Sequence, residues 1–133
     1  MLLICSGAFA QLVVGVPDAD TYKILLNGRT RMVRLAHVDA PENNQHFGKV
    51  ATDCVANLIL GRQVQLEPQG TDLYGRMIAV VFIEGKRLDS LLLVRGWAWF
   101  YASFSNLHSY SLYQAAAKER GLGLWACPQA VPP

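Results

Sequence analysis

The nine residues from Arg34 to Glu42 carry the side chains best suited to chemistry in this sequence. They read Arg-Leu-Ala-His-Val-Asp-Ala-Pro-Glu and supply one guanidinium and two carboxylates. A guanidinium binds a phosphate through paired hydrogen bonds, one carboxylate binds a hard cation, and another accepts a proton from water. This combination of groups is typical of phosphate chemistry.

Two other short segments add groups of the same kind. Asp72-Leu73-Tyr74-Gly75-Arg76 offers a second guanidinium, and Asp18-Ala19-Asp20-Thr21 offers a second acidic turn. Two carboxylates that lie close together repel each other unless a proton or a cation intervenes. We assign Asp20 and Asp39 to a metal, and oxygen ligands without Cys or His favour Ca²⁺ or Mg²⁺ over zinc. The alternative for the first acidic segment is an ordinary Asx turn.

The spacing of Arg34 and Asp39 sets a condition on the fold. The two residues are five positions apart, an odd number, so in a regular strand their side chains would lie on opposite faces. Both serve one site only if the strand bulges or breaks near Val38, and the following Ala40-Pro41 favours such a break. The alternative is a surface ion pair at a sheet edge, which contributes little to stability.

Hydrophobic alternation and turn residues predict the elements that position these groups. Three early strands are expected, with Asn27-Gly28 joining the second and third as a hairpin. A helix, two further strands and two more helices complete the prediction, which is for an α+β domain. The predicted strands are 11–16, 21–26, 31–38, 63–67 and 77–83, and the predicted helices are 48–60, 89–94 and 109–120.

Length and charge bound the class of protein. A chain of 133 residues is about one domain. Its net charge of +2, from 12 basic and 10 acidic residues, is mild for a protein that binds nucleic acid mainly by charge, so affinity for a phosphate backbone would be modest and salt-sensitive. No apolar stretch is long enough to predict a membrane span.

The first ten residues carry no charge and end Ala8-Phe9-Ala10, which matches a signal-peptide cleavage signature, although the charged n-region is missing. We therefore expect 1–10 to be a signal-peptide remnant, 11–127 the domain and 128–133 a tail, with a secreted or periplasmic location. The alternative for 1–10 is an ordinary first strand.

If the protein is exported to an oxidising compartment, Cys54 and Cys127 would form a disulfide or remain buried thiols. The three histidines, at 37, 46 and 108, are interpreted as surface or strand residues and not as zinc ligands.

Across residues 11 to 126 the sequence resembles the staphylococcal nuclease-like family. The resemblance rests on five motifs in the family's order: Asp18 to Thr21, Val33 to Glu42, Gln45/Gly48/Ala51, Asp72 to Arg76, and Gly123-Leu124-Trp125. It implies a five-stranded OB-fold-type β-barrel with about three helices, which periodicity alone does not select. It also implies a monomeric, Ca²⁺-dependent endonuclease with no obligate protein partner, acting on single-stranded or flexible DNA and RNA with little sequence preference. Cleavage of the 5′ P–O bond would leave 3′-phosphate products.

The resemblance also implies roles for individual residues. Arg34 and Arg76 match the phosphate clamps and Glu42 the candidate general base. Asp20, Asp39 and the Ala40 carbonyl match the metal site. Tyr74 and Tyr101 would contact substrate, although both types are more often core aromatics.

Two departures from the family pattern concern the metal site and the grip on substrate. Ala19 stands where the family usually has Gly, which would cost about 1 kcal/mol if that position needs a positive φ. Leu73 replaces a basic residue of the best-known member, so substrate binding would be weaker or differently placed.

Two other classes of function stay open: a non-catalytic OB-fold module that binds nucleic acid, and a structural or protein-interaction domain.

Overall fold

The structure of the protein is a computed structural model that describes residues 11–101 and 108–126. The predicted signal-peptide remnant and the C-terminal tail lie outside these residues. So does Cys127, and the predicted pairing with Cys54 therefore stays a prediction.

The chain begins with a three-stranded antiparallel meander. Strand β1 is Leu12–Asp18, β2 is Thr21–Leu26 and β3 is Arg29–Leu35. The β2–β3 connection is the predicted hairpin, because Asn27 and Gly28 both have positive φ, at 50° and 80°. Two consecutive positive φ angles match the right-handed twist of the paired strands.

The remaining elements include three helices and five strands, and three of these strands are only two residues long. In chain order they are β4 (Val38–Asp39), α1 (Gly48–Ile59), β5 (Gln65–Thr71), β6 (Met77–Ile83), β7 (Lys86–Arg87), α2 (Leu88–Arg95), β8 (Trp99–Phe100), α3 (His108–Glu119) and a short 3₁₀ helix (Gly123–Ala126).

The main sheet has the strand order β1-β2-β3-β6-β5, with β7 added beside β6, and β4 pairs separately with β8. Strands β3 and β6 are parallel. The start of β1 also bridges the segment before β5, through Leu12 and Gln63. The architecture is an OB-fold-like α+β domain, as the sequence predicted. The two-residue strand β7 was not predicted, because alternation needs a longer run to be recognised.

The core lies between the curved sheet and helices α1 and α2. Its fully buried side chains include Tyr22 and Ile24 from β2, Val33 from β3, Val55 from α1 and Leu92 from α2. Burying an aliphatic or aromatic side chain of this size contributes about 1.5–3 kcal/mol. This core fixes the ends of β2, β3 and β6, at which Asp20, Arg34 and Arg76 lie. No helix in the described ranges has the length and apolar character needed to cross a membrane.

Candidate active site

The strand predicted at 31–38 is interrupted. Strand β3 ends at Leu35 and β4 begins at Val38, and His37 between them has φ 72°, in the left-handed region. This break is the one that the odd spacing of Arg34 and Asp39 required. It brings both side chains to the same side of the sheet.

The guanidinium of Arg34 is fixed by the turn that follows it. Its Nη1 donates to the carbonyl oxygens of Leu35 and Val38, at 2.7 and 2.8 Å. Its Nη2 donates to Asp39 Oδ1 at 2.9 Å and lies 3.4 Å from Asp20 Oδ2. One guanidinium therefore joins the two carboxylates that the sequence marked as metal ligands.

The acidic turn between β1 and β2 is fixed by hydrogen bonds to Asp20 and to Ala19. Asp20 is 7% exposed, and its Oδ2 accepts a hydrogen bond from the backbone N–H of Ala40 at 2.8 Å. Its Oδ1 accepts one from the Thr21 hydroxyl at 3.1 Å. Ala19 is fully buried, and its carbonyl accepts from the Tyr22 hydroxyl at 2.6 Å. Because Ala19 does not have a positive φ, the backbone penalty considered for Ala at this position does not arise.

Arg76 approaches the same turn from the β5–β6 connection. Its Nε donates to Asp72 Oδ2 at 2.6 Å, and its Nη1 donates to Thr21 Oγ1 at 3.4 Å. Asp72 Oδ1 accepts the backbone N–H groups of Tyr74 and Arg76, both at 2.9 Å. Burial opposes the charged form of Asp72, but these bonds outweigh it and lower the pKa of that carboxyl. The Asp20-Thr21 pair thus lies between the guanidinium groups of Arg34 and Arg76.

Glu42 lies in the loop after β4 and is exposed. Its backbone N–H donates to Gln45 Oε1 at 2.7 Å, while its carboxylate has no hydrogen bond or ion pair within the described residues. The next residue, Asn43, joins this loop to its surroundings. Asn43 Nδ2 donates to the Pro17 carbonyl at 2.7 Å, and Asn43 Oδ1 accepts from the Thr52 hydroxyl at 2.6 Å.

Burial and neighbouring carboxylates both disfavour ionisation of two acidic groups at this site. Burial, together with repulsion from Asp20 and Glu42, raises the pKa of Asp39 even though Arg34 lowers it. Burial and the same two neighbours also raise the pKa of Asp18. A carboxylate whose ionised form is disfavoured by other carboxylates is stabilised by an added cation. The donor chemistry therefore fits a hard divalent ion.

Two carboxylates alone do not complete a Ca²⁺ site, which takes six to eight oxygen ligands. Across residues 11–101 and 108–126, no three His, Cys, Asp or Glu side chains come together as a ready ligand set. Asp20 and Asp39 would need backbone and water oxygens to complete the shell. The predicted use of the Ala40 carbonyl stays a prediction, because the observed contact of Ala40 is through its N–H.

The two tyrosines predicted to contact substrate are exposed and are not part of the core. Tyr74 is 84% exposed, and the guanidinium carbon of Arg76 lies 5.4 Å from the centre of its ring. Tyr101 is 45% exposed, and its backbone N–H donates to the His37 carbonyl at 2.8 Å. Both residues lie at the surface of the described part of the chain.

One set of residues around the site was missed by sequence reasoning. His37, interpreted as a surface or strand residue, instead bonds through Nδ1 to Asp89 Oδ2 at 3.0 Å, and Asp89 is fully buried. The interpretation was therefore wrong for His37, whereas His46 and His108 are exposed. The contact joins residues 52 positions apart, so no local pattern could have indicated it.

Comparison with known proteins adds independent findings. Residues 32–127 match the family described as staphylococcal nuclease homologue. The chain is 34% identical over 122 residues to an uncharacterised endonuclease of Haemophilus influenzae, covering 91% of this chain and 68% of that protein. It is 33% identical over 147 residues to a micrococcal nuclease of Shigella flexneri, covering 100% and 84%. A staphylococcal-like nuclease of Arabidopsis thaliana is 28% identical over 94 residues, covering 71% and 29%.

Proposed function

Because this chain belongs to the staphylococcal nuclease homologue family, we propose that it is a Ca²⁺-dependent endonuclease that cleaves DNA and RNA with little sequence preference. Its substrates would be single-stranded or flexible strands, cut at the 5′ P–O bond to leave 3′-phosphates. The hydrolysis of phosphodiester bonds follows from the family and its nuclease relatives. The metal and the breadth of substrates are the parts that we propose.

One observation carries the proposal: the guanidinium groups of Arg34 and Arg76 lie on either side of the Asp20-Thr21 pair. Arg34 contacts Asp39 and Asp20, while Arg76 reaches Thr21, which is itself bonded to Asp20. A phosphodiester gathers negative charge on its non-bridging oxygens as water attacks phosphorus. Donors that are already oriented stabilise that charge without reorganising, so they favour the transition state over the ground state.

Each guanidinium is oriented by hydrogen bonds to the protein and still has an N–H donor that can bind a ligand. Arg34 is fixed through Nη1 and Nη2, and its Nε has no partner within the described residues. Arg76 is fixed through Nε, and its Nη2 likewise has no partner there. We assign these remaining donors to phosphate oxygens.

Glu42 is the residue we assign to proton transfer. Its carboxylate is exposed and unpaired within the described residues, close enough to Asp18 and Asp39 to affect their pKa values. An unpaired carboxylate beside the phosphate site is free to accept a proton from the attacking water. Asn43 fixes the loop that carries it.

Asp20 and Asp39 would hold the cation. When bound, a divalent ion offsets the charge of the phosphate and lowers the pKa of bound water. Burial, and after it repulsion from Asp20 and Glu42, raises the pKa of Asp39, and a cation would favour the ionised form that both oppose, which supports this assignment. We assign Tyr74 and Tyr101 to stacking on bases next to the scissile phosphate, a contact that tolerates any sequence.

The test is cleavage of denatured DNA and of single-stranded RNA by the purified protein, with Ca²⁺ or with EDTA. The Glu42→Gln variant removes the base while keeping the shape of the side chain. Glu119→Gln, an exposed glutamate on α3, is the matched control. We expect cleavage only with Ca²⁺, a loss of several orders of magnitude in Glu42→Gln, and no change in Glu119→Gln.

Fluorescence anisotropy of a labelled oligonucleotide, measured alongside, separates binding from cleavage. A wild-type protein that binds the oligonucleotide and does not cut it with Ca²⁺ would instead be a binding module. Cleavage that survives in EDTA would contradict the proposed metal.

A further inference from the structure

The turn between β3 and β4 has a conformation that its own sequence does not favour. His37 occupies the left-handed region at φ 72°, which costs a residue with a Cβ about 1 kcal/mol or more. A strained backbone conformation persists only where the surrounding structure enforces it. The contacts of His37 therefore show what holds the turn.

The side chain of His37 forms a hydrogen bond with a buried carboxylate. Its Nδ1 lies 3.0 Å from Asp89 Oδ2, and its side chain is 17% exposed while that of Asp89 is fully buried. A carboxylate can only accept, so the proton of this bond lies on Nδ1 of His37. The main chain of the turn is held as well, because the His37 carbonyl accepts the backbone N–H of Tyr101 at 2.8 Å.

Asp89 is firmly held because four residues donate five hydrogen bonds to its carboxylate. Besides His37, Arg87 donates from Nε at 3.2 Å and from Nη2 at 2.8 Å, and the Tyr110 hydroxyl donates at 2.8 Å. The backbone N–H of Ser90 donates at 2.7 Å. These contacts join the start of α2 to α3, so the anchor of the turn belongs to two packed helices.

The turn in turn shapes the phosphate site. Arg34 Nη1 is held by the carbonyls of Leu35 and Val38, which lie on either side of Ala36-His37, and its Nη2 is held by Asp39. Were the turn to straighten, the Val38 carbonyl and the Asp39 carboxylate would move together relative to Arg34. The orientation of that guanidinium thus depends on the conformation of His37.

We propose that His37 is a positioning residue for phosphodiester cleavage: through its bond to Asp89 it holds the turn that orients Arg34 and Asp39. The proposal rests on the proposed function for its kinetic consequence. Its structural part, the dependence of the Arg34 guanidinium on residue 37, holds or fails without any cleavage assay.

Two substitutions separate the side-chain bond from the backbone strain. Gly and Asn both accept the left-handed region, so neither His37→Gly nor His37→Asn penalises the turn itself. The Asn amide nitrogen occupies nearly the position of histidine Nδ1 and can donate to Asp89, whereas Gly cannot. Asn27→Gly is the matched control, because Asn27 also has a positive φ but lies in the β2–β3 hairpin.

The kinetic test measures kcat and KM on a short single-stranded oligonucleotide with saturating Ca²⁺, with thermal melting of each variant to establish folding. A misplacement of about 1 Å can cost on the order of 100-fold in rate, so we expect kcat of His37→Gly to fall roughly 10- to 100-fold. KM should change little. His37→Asn and Asn27→Gly should both keep kcat close to wild type.

The structural test uses the same proteins without metal. The NMR signal of the Arg34 Nε–H group, assigned by its loss in Arg34→Lys, should shift or broaden in His37→Gly and stay in place in His37→Asn. A folded His37→Gly protein with wild-type kcat and an unchanged Arg34 signal would overturn the proposal, and so would a His37→Asn protein as impaired as His37→Gly. If the wild-type protein cleaves nothing, the proposed function fails, and the NMR comparison alone then decides whether His37 orients Arg34.

Discussion

Arg34 donates from Nη2 to Asp39 Oδ1 at 2.9 Å, although a regular strand would place residues five apart on opposite faces. The contact exists because the chain turns sharply between them, at Ala36-His37. It places the guanidinium beside a carboxylate whose pKa burial raises. The same contact therefore partly neutralises the Asp39 carboxylate and orients the Arg34 guanidinium toward a phosphate.

We expect Arg34→Lys to abolish most of the cleavage although the charge is kept. Lysine carries a single compact ammonium and cannot bond to Leu35, Val38 and Asp39 at once while still presenting a donor to phosphate. The expected loss in kcat/KM is on the order of 100-fold or more. Steady-state cleavage of single-stranded DNA with Ca²⁺ measures it.

Arg62→Lys is the control for this change, because Arg62 forms an exposed ion pair with Glu84 away from the site. It should cleave like the wild type. If Arg34→Lys were as active as Arg62→Lys, the orientation of the guanidinium would have no role in the chemistry and charge alone would suffice.

Asp72 should matter because it orients Arg76. In Asp72→Asn the side-chain oxygen can still accept the backbone N–H groups of Tyr74 and Arg76, but the charged bond to Arg76 Nε is lost. We expect kcat/KM to fall roughly tenfold, since the guanidinium is less well placed. Thermal melting should show a folded protein. Unchanged kinetics would mean that substrate alone orients Arg76.

Parts of this arrangement could be predicted from sequence because their causes are local. The Asn27-Gly28 hairpin follows from two residues that accept positive φ, and the end of β4 at Asp39 follows from Ala40-Pro41. The requirement for a break between Arg34 and Asp39 follows from the period of a strand.

Other parts depend on contacts distant in sequence. The left-handed conformation of His37 is supported by Asp89, 52 residues away, and nothing near His37 indicates it. Asp72 was predicted only as part of a turn, because its bond to Arg76 depends on the geometry of that turn. The metal ligands remain a prediction. The oxygen donors indicate which kind of cation would bind, but no complete set of side-chain ligands is assembled within the described residues.

Ala19→Gly should destabilise the protein without changing cleavage. Ala19 is fully buried and lacks a positive φ, so glycine gains nothing in the folded state and increases the freedom of the unfolded chain. The expected loss is about 1 kcal/mol in the free energy of unfolding. Urea unfolding measures it, and kcat/KM with Ca²⁺ is the companion measurement. A stabilised Ala19→Gly protein would show that this turn needs the conformational freedom of glycine.

Leu73→Lys should strengthen the grip on substrate. Leu73 is 100% exposed at the tip of the turn that carries Arg76, so a lysine there meets no packing constraint and lies beside the phosphate site. One added phosphate contact on a single strand steepens the dependence of log affinity on log salt by about 0.7. We expect lower KM at low salt and this steeper slope by anisotropy titration. Leu112→Lys, on the exposed side of α3, is the control, and an equal slope in both variants would mean a general charge effect.

The last prediction concerns acid stability and the buried carboxylate of Asp89. Burial disfavours its charge, but hydrogen bonds from Arg87, His37 and Tyr110 outweigh burial and hold the pKa of Asp89 below its ordinary value of 3.8. A carboxyl whose pKa is lower in the folded state than in the unfolded state stabilises the fold at every pH above the unfolded pKa. That stabilisation is lost as the pH falls through the folded pKa.

Asp89→Asn should therefore cost about 3 kcal/mol at neutral pH, because the half-buried Arg87 loses its charged partner. The cost should stay constant down to about pH 4, the ordinary range of an aspartate in an unfolded chain, and shrink below it. Urea unfolding of both proteins from pH 7 to pH 3 measures the difference. Asp53→Asn, which removes an exposed pair with Lys49, should cost at most about 0.5 kcal/mol. A difference between wild type and Asp89→Asn that did not shrink in acid would show that packing, not the charge of Asp89, holds α2, α3 and the His37 turn together.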